Sequence, residues 1–463
     1  MRNLLGSLKL LEQPARDLLA QGKSLWQRKR IWIILLAVQI LLNIIGQILP
    51  SGVQIVLMGS SGAVLLTFSG YAVYTQRSNI LVMLLNIMLL YFNYSLVAAV
   101  YWNTDALDAI FAGYSWNEFL KCINIELLFY GAYALLLKDK PKVNKRVYLS
   151  KGKANYLIVA MCTLYIAAAP FLFYHTEKFG VRGTITPLYE YALIVMILGL
   201  CFCRRDVKAI APLLLASGWI ILHGLMHGER ILALQMVIVW GLYLLLHMLS
   251  VKLIIPACVA GVLFFTIFGI FRGAEALDGN FLEITLQRLL NGGMANDTSY
   301  YAYWAGMSIN RFAGITPFYE RIFLFIKYIG YVFLGSVIPD VNLSWLASSA
   351  NYHLGGGWLP FYVYCWLGPI GVLLSGIGLA VLINKVTVLQ RKRKFCNYLS
   401  IYLVATAPRW YLYAPATITR GVLFFSLFYY ACAMANKWMP FLWERVKGKL
   451  GLKLGKYEQK EGE

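Results

Sequence analysis

Apolar runs of membrane-spanning length recur along nearly the whole chain of 463 residues. A helix of about 17–25 apolar residues crosses the roughly 30 Å of hydrocarbon in a bilayer. The composition agrees, since 60% of the residues are apolar and 14% are charged, whereas soluble domains have about 45–50% and 25%. The runs predict an all-α polytopic membrane protein and exclude a soluble enzyme, a nucleic-acid-binding module and a disulfide scaffold. The twelve predicted spans are 31–50, 53–74, 79–101, 119–137, 156–174, 187–203, 209–225, 231–249, 253–271, 361–384, 396–410 and 420–436.

Positive charge is distributed unevenly between the connections of these spans. Alternate connections, together with both chain ends, hold 31 Lys and Arg against 8 Asp and Glu. The rest of the chain holds 11 basic and 13 acidic residues. Because short loops rich in Lys and Arg stay in the cytoplasm, both termini are predicted to be cytoplasmic. The net charge of +21 is therefore interpreted as a topological signal. The first apolar run is predicted to be a signal anchor, since it has full span length and no small-residue cleavage site.

One connection is much longer than the others. Residues 272–360 lie between the ninth and tenth spans on the extracytoplasmic side and are rich in Tyr and Trp, which argues against disorder. Its apolar stretch 322–338 is expected to lie along the membrane or dip into it without crossing, since a crossing would place the basic tail outside. The predicted parts are a cytoplasmic segment 1–30, spans one to nine in 31–271, the extracytoplasmic loop 272–360, spans ten to twelve in 361–436 and a cytoplasmic tail 437–463.

The basic residues on the predicted outer side are mostly arginine, whereas lysine dominates on the cytoplasmic side. Topology needs only positive charge, but arginine presents a planar, always-charged fork that binds phosphate bidentately. The outer arginines that lie at the ends of spans are expected to converge on one anion site at the membrane surface. The alternative is that each reaches lipid phosphates or pairs with a neighbouring acid, as Glu229 is placed to do with Arg230. The outer arginines are Arg182, Arg230, Arg272, Arg288, Arg311, Arg321, Arg409 and Arg420, of which Arg230, Arg272, Arg409 and Arg420 are at span ends.

His353 is the strongest candidate for a general base. It lies in the long loop, directly before Leu354 and the run Gly355-Gly356-Gly357. A histidine beside glycines combines proton acceptance with backbone N–H groups that an anion approaches closely. The alternative is that the glycines form only a flexible turn. The other four histidines, the eight cysteines, and Glu126 and Glu190 are interpreted as packing or structural residues, and no metal or cofactor is expected.

Four local patterns in this chain are similar to those of a known family. Arg230 follows a short turn, His227-Gly228-Glu229, at the start of a span. Ser349-Ala350-Asn351-Tyr352 precedes His353 and the glycines, and Leu367-Gly368-Pro369-Ile370-Gly371 resembles a glycine-rich start of the next span. Arg409 and Arg420 bracket a short outer turn before the last span. The order of these patterns resembles that of the Wzy-type polymerases, which assemble bacterial surface polysaccharides such as O-antigen, capsule and enterobacterial common antigen.

The resemblance implies a GT-C-like fold in the bacterial cytoplasmic membrane and a metal-independent, inverting glycosyltransferase. A growing glycan on undecaprenyl pyrophosphate would be transferred to the distal sugar of a new lipid-linked repeat unit. His353 would activate the acceptor hydroxyl, while Arg230, Arg409 and Arg420 would stabilise the departing pyrophosphate. Partners implied are the bilayer, the lipid-linked oligosaccharides, and a chain-length regulator and flippase of the same pathway. Residues implied in substrate binding are Arg272, Arg311, Arg321, Asn351, Tyr352, Gly355 and Gly356.

Two alternatives stay open at this point. A ligase that moves finished glycan from the same carrier to a lipid acceptor would use much the same arginines and histidine. A transporter or flippase for lipid-linked sugars is the alternative from another class. Such proteins usually have internal repeats and charges at mid-membrane, whereas charges in this sequence are expected to avoid the centres of the spans.

Overall fold

The protein is an all-α polytopic membrane protein. The computed structural model describes residues 29–102, 113–138, 154–175, 183–204, 206–227, 230–245, 253–254, 256–257, 297–353, 355–390 and 393–449. Among these, seven helices are long and apolar enough to cross a bilayer, and three shorter apolar helices accompany them. Together these ten helices coincide with ten of the twelve predicted spans. The predicted span 253–271 lies almost wholly outside the described residues, and the count of twelve stays a prediction.

The chain divides into two compact units that interleave in sequence. The first unit comprises 1–144, 248–392 and 406–417, and the second comprises 145–247, 393–405 and 418–463. The short segment 406–417 therefore belongs to the first unit, although the residues on either side of it belong to the second.

The first unit contains most of the long helices. Its helix α3 continues as a π-helical segment, Val97–Tyr101, and its helix α10 ends in a 3₁₀ turn, Gly335–Val337. The helices are α1 (Lys29–Gly46), α2 (Ser51–Thr75), α3 (Ile80–Leu96), α4 (Trp116–Leu136), α9 (Asp297–Ile315), α10 (Phe318–Leu334), α11 (Leu343–Ser348), α12 (Leu359–Leu389) and α14 (Ala407–Leu412).

Helix α4 is the centre of the first unit and packs against α2 and α12. Gly376 of α12 lies against the backbone of Phe129, where a side chain would not fit. Small residues allow such close approach of helices in membranes. Polar side chains also join the helices, since the Asn43 amide donates to Asn124 Oδ1 at 2.8 Å and the Gln39 amide donates to Ser61 Oγ at 2.9 Å. These interhelical hydrogen bonds fix α1 and α2 on α4.

The second unit is built around α5, which packs against α6 and α7. A two-stranded antiparallel pair, β1 (Tyr174–His175) and β2 (Thr184–Ile185), joins α5 to α6. The Asn155 amide donates to Asn436 Oδ1 at 2.7 Å and so connects the start of α5 to the last helix. The helices are α5 (Tyr156–Leu172), α6 (Pro187–Cys203), α7 (Val207–Met226), α8 (Arg230–Leu245), α13 (Lys394–Ala405) and, from residue 418, α15 (Ala416–Lys449).

The predicted span 396–410 is wrong as a single helix. The structure has two short helices there, α13 and α14, separated at Thr406. Pro408 lies in the first turn of α14, where it lacks the N–H that a continuous helix would need. Apolar composition alone gives no sign of the break, because both short helices are apolar and buried.

The glycine-rich pattern at 367–371 lies inside α12, where its second helical segment begins. Helix α12 begins earlier, at Leu359, and Gly368 interrupts it with a φ of 66°. A residue before proline is disfavoured in the helical region, and glycine accepts a positive φ at little cost. Gly368 and Pro369 therefore divide α12 into two helical segments.

The long connection 272–360 is helical over most of its described part. Helices α9, α10 and α11 occupy 297–348, which confirms that this part is ordered. Helix α10 has a broad exposed apolar surface that includes Phe323, Ile326 and Phe333. The apolar stretch 322–338 thus lies in α10 and its 3₁₀ extension, and its position relative to the membrane stays a prediction.

One expectation about charge is wrong. Glu126 lies at the midpoint of α4, one of the seven candidate spans, and its side chain is 0% exposed. The charged residues of the sequence therefore do not all avoid the centres of the spans.

Candidate functional site

The candidate site is built from α9, α11, α14 and the segment before α12, all in the first unit. Helix α9 packs against α11 and α12 and also contacts α14. Tyr303 of α9 lies edge-on to Trp358 and Phe361, with ring centroids 5.7 and 5.4 Å away. This aromatic packing holds the segment 349–358 against α9.

His353 is buried against α9, with 7% of its surface exposed. Its ring lies 6.5 Å from that of Trp304, and its Nδ1 accepts a hydrogen bond from the Gly355 N–H at 3.0 Å. The neutral ring therefore carries its hydrogen on Nε2, since Nδ1 is an acceptor. Burial lowers the pKa of His353 from its ordinary value.

The three glycines after His353 adopt backbone conformations that other residues avoid. Their φ angles are 100°, 100° and 147° for Gly355, Gly356 and Gly357. A side chain at Gly357 would also meet Ile309 and Tyr362, at 2.5 and 2.6 Å from its Cβ. Gly356 and Gly357 therefore lie in a closely packed turn that only glycine fits, whereas a side chain at Gly355 would meet nothing within 4 Å.

The glycine run is joined to α14 by the carbonyl of Leu412. This oxygen accepts hydrogen bonds from the N–H groups of Gly357 and Trp358 at 3.0 and 3.1 Å. The Tyr362 hydroxyl lies 2.9 Å from the Gly356 carbonyl oxygen and 2.7 Å from that of Tyr413. Helix α14 carries the half-buried Arg409, whose guanidinium is 5.7 Å from the ring of Tyr413. Two segments about fifty residues apart in sequence thus form one substructure.

Three buried polar atoms of this substructure have no hydrogen-bond partner among the described residues. They are Ser299 Oγ, Trp304 Nε1 and His353 Nε2. Ser299 and Trp304 are on the first two turns of α9, and Trp304 is the residue whose ring faces His353. Buried polar groups are nearly always paired, so unpaired ones indicate a position for water or a ligand. Two of the three are N–H donors, which suits an acceptor such as a sugar or phosphate oxygen.

Arg311 is held by protein groups. Its Nε lies 2.6 Å from Glu118 Oε1, its Nη2 lies 3.1 Å from Oε2, and its guanidinium covers the ring of Tyr114 at 3.8 Å. The hydrogen bond to Glu118 raises the pKa of Arg311. Arg311 is therefore a clamp between α9 and the start of α4, and a role in binding substrate stays a prediction.

The clamp also positions Asn351. The Asn351 amide donates to the Tyr114 hydroxyl, which lies 3.0 Å from Ser308 Oγ on α9. Tyr352, by contrast, is 69% exposed, with its ring 6.2 Å from that of Trp304. Asn351 is thus a structural neighbour of the clamp, while Tyr352 is free to contact a ligand.

The other predicted arginines are on other helices or outside the described residues. Arg321 is on α10, half-buried, with its guanidinium 5.2 Å from the ring of Phe318. Arg420 belongs to the second unit, where it lies 5.1 Å from Phe424 and 5.9 Å from Tyr191. Arg230 begins α8 in the second unit, and Arg272 lies outside the described residues. The convergence of Arg230, Arg409 and Arg420 on one site stays a prediction.

The site contains several residues that the sequence analysis did not single out. Glu118 was recognisable in the sequence, because the pattern S-x-x-E is typical of a helix capping box. Ser115 and Glu118 form such a box at the start of α4. Trp304 and Tyr362 carried no such signal, because aromatic residues are common throughout this chain. The histidines left without a role include His223 and His227, whose ring centroids are 4.4 Å apart within an aromatic cluster of the second unit.

No protein-family model matches this chain, and neither the curated proteins nor the solved structures include a match to it.

Proposed function

We propose that the protein is a membrane glycosyltransferase of the Wzy type. It would polymerise oligosaccharide repeat units linked to undecaprenyl pyrophosphate, on the outer face of a bacterial cytoplasmic membrane. The proposal rests on the residue patterns of the sequence and on the substructure around His353.

The observation that carries the proposal is the junction at Leu412. Two of the four family-like patterns, the one around His353 and the one that contains Arg409, are directly hydrogen-bonded through the Leu412 carbonyl. They are far apart in the chain, and nothing in their local sequence requires them to meet. Their contact is what a shared active site needs.

The chemistry assigned to these groups is charge stabilisation and acceptor activation. Pyrophosphate is a good leaving group, so its departure needs electrostatic stabilisation more than a proton. Arg409 is proposed to supply that charge, and Arg230 and Arg420 are predicted from the sequence alone to do the same. Preorganised donors in comparable anion sites contribute about 2.7–4 kcal/mol each.

His353 is proposed to contact the acceptor sugar. The Gly355 N–H donates to the Nδ1 lone pair, so His353 accepts a proton from the acceptor hydroxyl only if that hydrogen bond breaks and frees Nδ1. In the described arrangement its Nε2–H is a hydrogen-bond donor with no protein partner among the described residues. His353→Gln separates the two roles, because glutamine donates a hydrogen bond but is not a base.

The experiment that tests the function uses purified protein in nanodiscs with lipid-linked repeat units, without metal or nucleotide sugar. The expected result is a ladder of longer lipid-linked glycans on a gel. Transfer of glycan to a different lipid acceptor, without a ladder, would replace the polymerase by the ligase. Bound but unchanged repeat units would contradict both.

A lipid-linked sugar transporter is the second candidate, and Glu126 favours it. A buried carboxyl at the middle of a span is typical of transporters and rare elsewhere in membranes. Movement of labelled repeat units across a vesicle membrane, without a change in their length, would support this candidate over the transferase.

A further inference from the structure

Glu126 has an unusual environment for an ionisable residue. It is the eleventh of the 21 residues of α4 and has no exposed surface. Transfer of a carboxylate into such a position is very costly unless a positive charge or several donors accompany it. The groups around Glu126 therefore determine whether its carboxyl is protonated or charged.

No positive charge accompanies Glu126 in the part of the chain that the structure describes. No Lys, Arg or His contributes to its electrostatic environment, which consists of burial and the Tyr411 hydroxyl. The other titratable groups that interact electrostatically with Glu126 are weak acids. They are Cys122 and Tyr130 of α4, Tyr101 of the π-helical segment, Tyr303 of α9 and Tyr411 of α14.

The hydrogen bonds next to Glu126 run in one direction. The Tyr411 hydroxyl donates to Asn93 Oδ1 at 3.1 Å, and the Asn93 amide donates to Ser69 Oγ at 2.8 Å. Ser69 in turn donates to the Leu65 carbonyl at 2.8 Å, which fixes the orientation of the Asn93 amide. The only hydrogen of the Tyr411 hydroxyl is thus used, and its oxygen presents lone pairs to Glu126.

The lone pairs of the Tyr411 oxygen can accept a hydrogen bond from a protonated Glu126. A carboxylate has no hydrogen to donate to them. Neither carboxyl oxygen of Glu126 has a hydrogen-bond partner among the described residues, and the nearby Tyr130 hydroxyl has none either. Glu126 with a proton would donate to the Tyr411 oxygen and complete the series Glu126, Tyr411, Asn93, Ser69.

We propose that Glu126 is a reversible proton-binding site inside the membrane-spanning part of the first unit. The proton is held by the carboxyl and stabilised by Tyr411, whose oxygen accepts it as a hydrogen bond. The Tyr101–Tyr303 hydroxyl pair extends the polar cluster from α3 to α9. This site is independent of the transferase chemistry, because it contains none of the residues assigned to that reaction.

Infrared spectroscopy of the purified protein in nanodiscs tests the proposal. The carbonyl stretch of a protonated carboxyl is separate from the amide and carboxylate bands. At neutral pH this band is expected in the wild type and in Glu118→Gln, and it is expected to be lost in Glu126→Gln. It should shift in D₂O, disappear as the pH is raised, and return when the pH is lowered.

Glu126→Gln resembles the protonated acid in shape, so it is expected to fold. Glu118→Gln is the matched control, because Glu118 is on the same helix but pairs with Arg311. A neutral-pH band that Glu126→Gln leaves unchanged would overturn the proposal. A band that neither shifts in D₂O nor titrates would also overturn it, since the acid would then be a permanent structural group.

Hydrophobic carbodiimides give a second measurement, because they add to protonated carboxyls in apolar surroundings. Mass spectrometry should find the N-acylurea adduct on Glu126, with less adduct as the pH rises. Sodium or lithium at constant pH and ionic strength should not reduce it. Protection by either ion would identify a metal-cation site and so overturn the proton assignment.

Discussion

The backbone N–H of Gly357 donates a hydrogen bond to the carbonyl of Leu412 at 3.0 Å. This contact fixes the turn after His353 to α14, the helix that carries Arg409. It depends on a backbone at Gly357 with φ 147° and on close packing against Ile309 and Tyr362. The geometry of the candidate site is therefore sensitive to this one glycine.

Gly357→Ala is expected to lower the free energy of unfolding by about 2 kcal/mol, because it adds backbone strain and steric overlap. Unfolding in mixed detergent measures the change, and activity should fall with it. Gly378→Ala on α12 is the matched control, since a side chain there meets nothing within 4 Å. Helical Ala is favoured over Gly by about 0.5–1 kcal/mol, so equal losses in both variants would contradict the role given to Gly357.

Arg409→Lys is expected to reduce glycan transfer by roughly 100-fold or more, since charge is kept but the bidentate fork is lost. Arg230→Lys and Arg420→Lys should behave alike if all three bind the donor pyrophosphate. The gel assay with lipid-linked repeat units measures the effect. Arg77→Lys is the control, because Arg77 lies over Tyr74 at 3.9 Å on the predicted cytoplasmic side. Full activity in all three variants would contradict the assignment.

His353 predicts a pH dependence of stability. Burial lowers its pKa in the folded protein, while the unfolded chain has the ordinary value of about 6.5. The unfolded state therefore binds more protons below that pH, and stability falls as the pH decreases. The Tm of the wild type should drop between pH 7.5 and 5.5 by more than that of His353→Gln. Equal drops would show that His353 does not titrate in this way.

The sequence was sufficient to predict where most helices lie, but not which residues meet. Uncharged runs predicted α2, α3 and α4 to within a few residues, because hydrocarbon thickness determines the length of a span. The break between α13 and α14 was missed, since apolar runs continue across Thr406. The junction of Gly357 with Leu412 was not predictable, because backbone hydrogen bonds carry no residue signature. The surroundings of Glu126 were not predictable for a similar reason, since a sequence does not show whether a counter-charge is near.

Glu118→Gln is expected to lower stability by about 1 kcal/mol. The pair with Arg311 is bidentate and charge-assisted, but both side chains are partly exposed, which limits its contribution. The loss should be smaller in high salt, and unfolding at two ionic strengths measures it. Asp340→Asn is the control, because Asp340 is exposed and its φ of 55° suits asparagine. A loss unaffected by salt would indicate that packing at Tyr114, and not charge, holds α9 to α4.

Cysteine labelling in whole cells tests the orientation on which the proposed function depends. The exposed residue Tyr352 is predicted to face outward and the exposed Arg77 to face the cytoplasm. A membrane-impermeant maleimide should therefore label Tyr352→Cys in intact cells, and Arg77→Cys only after permeabilisation. Background is expected to be low, since the described cysteines other than Cys432 are buried, and the wild type measures it. The opposite pattern would place His353 and Arg409 on the cytoplasmic side, away from an outer-leaflet donor, and would contradict the proposed polymerase.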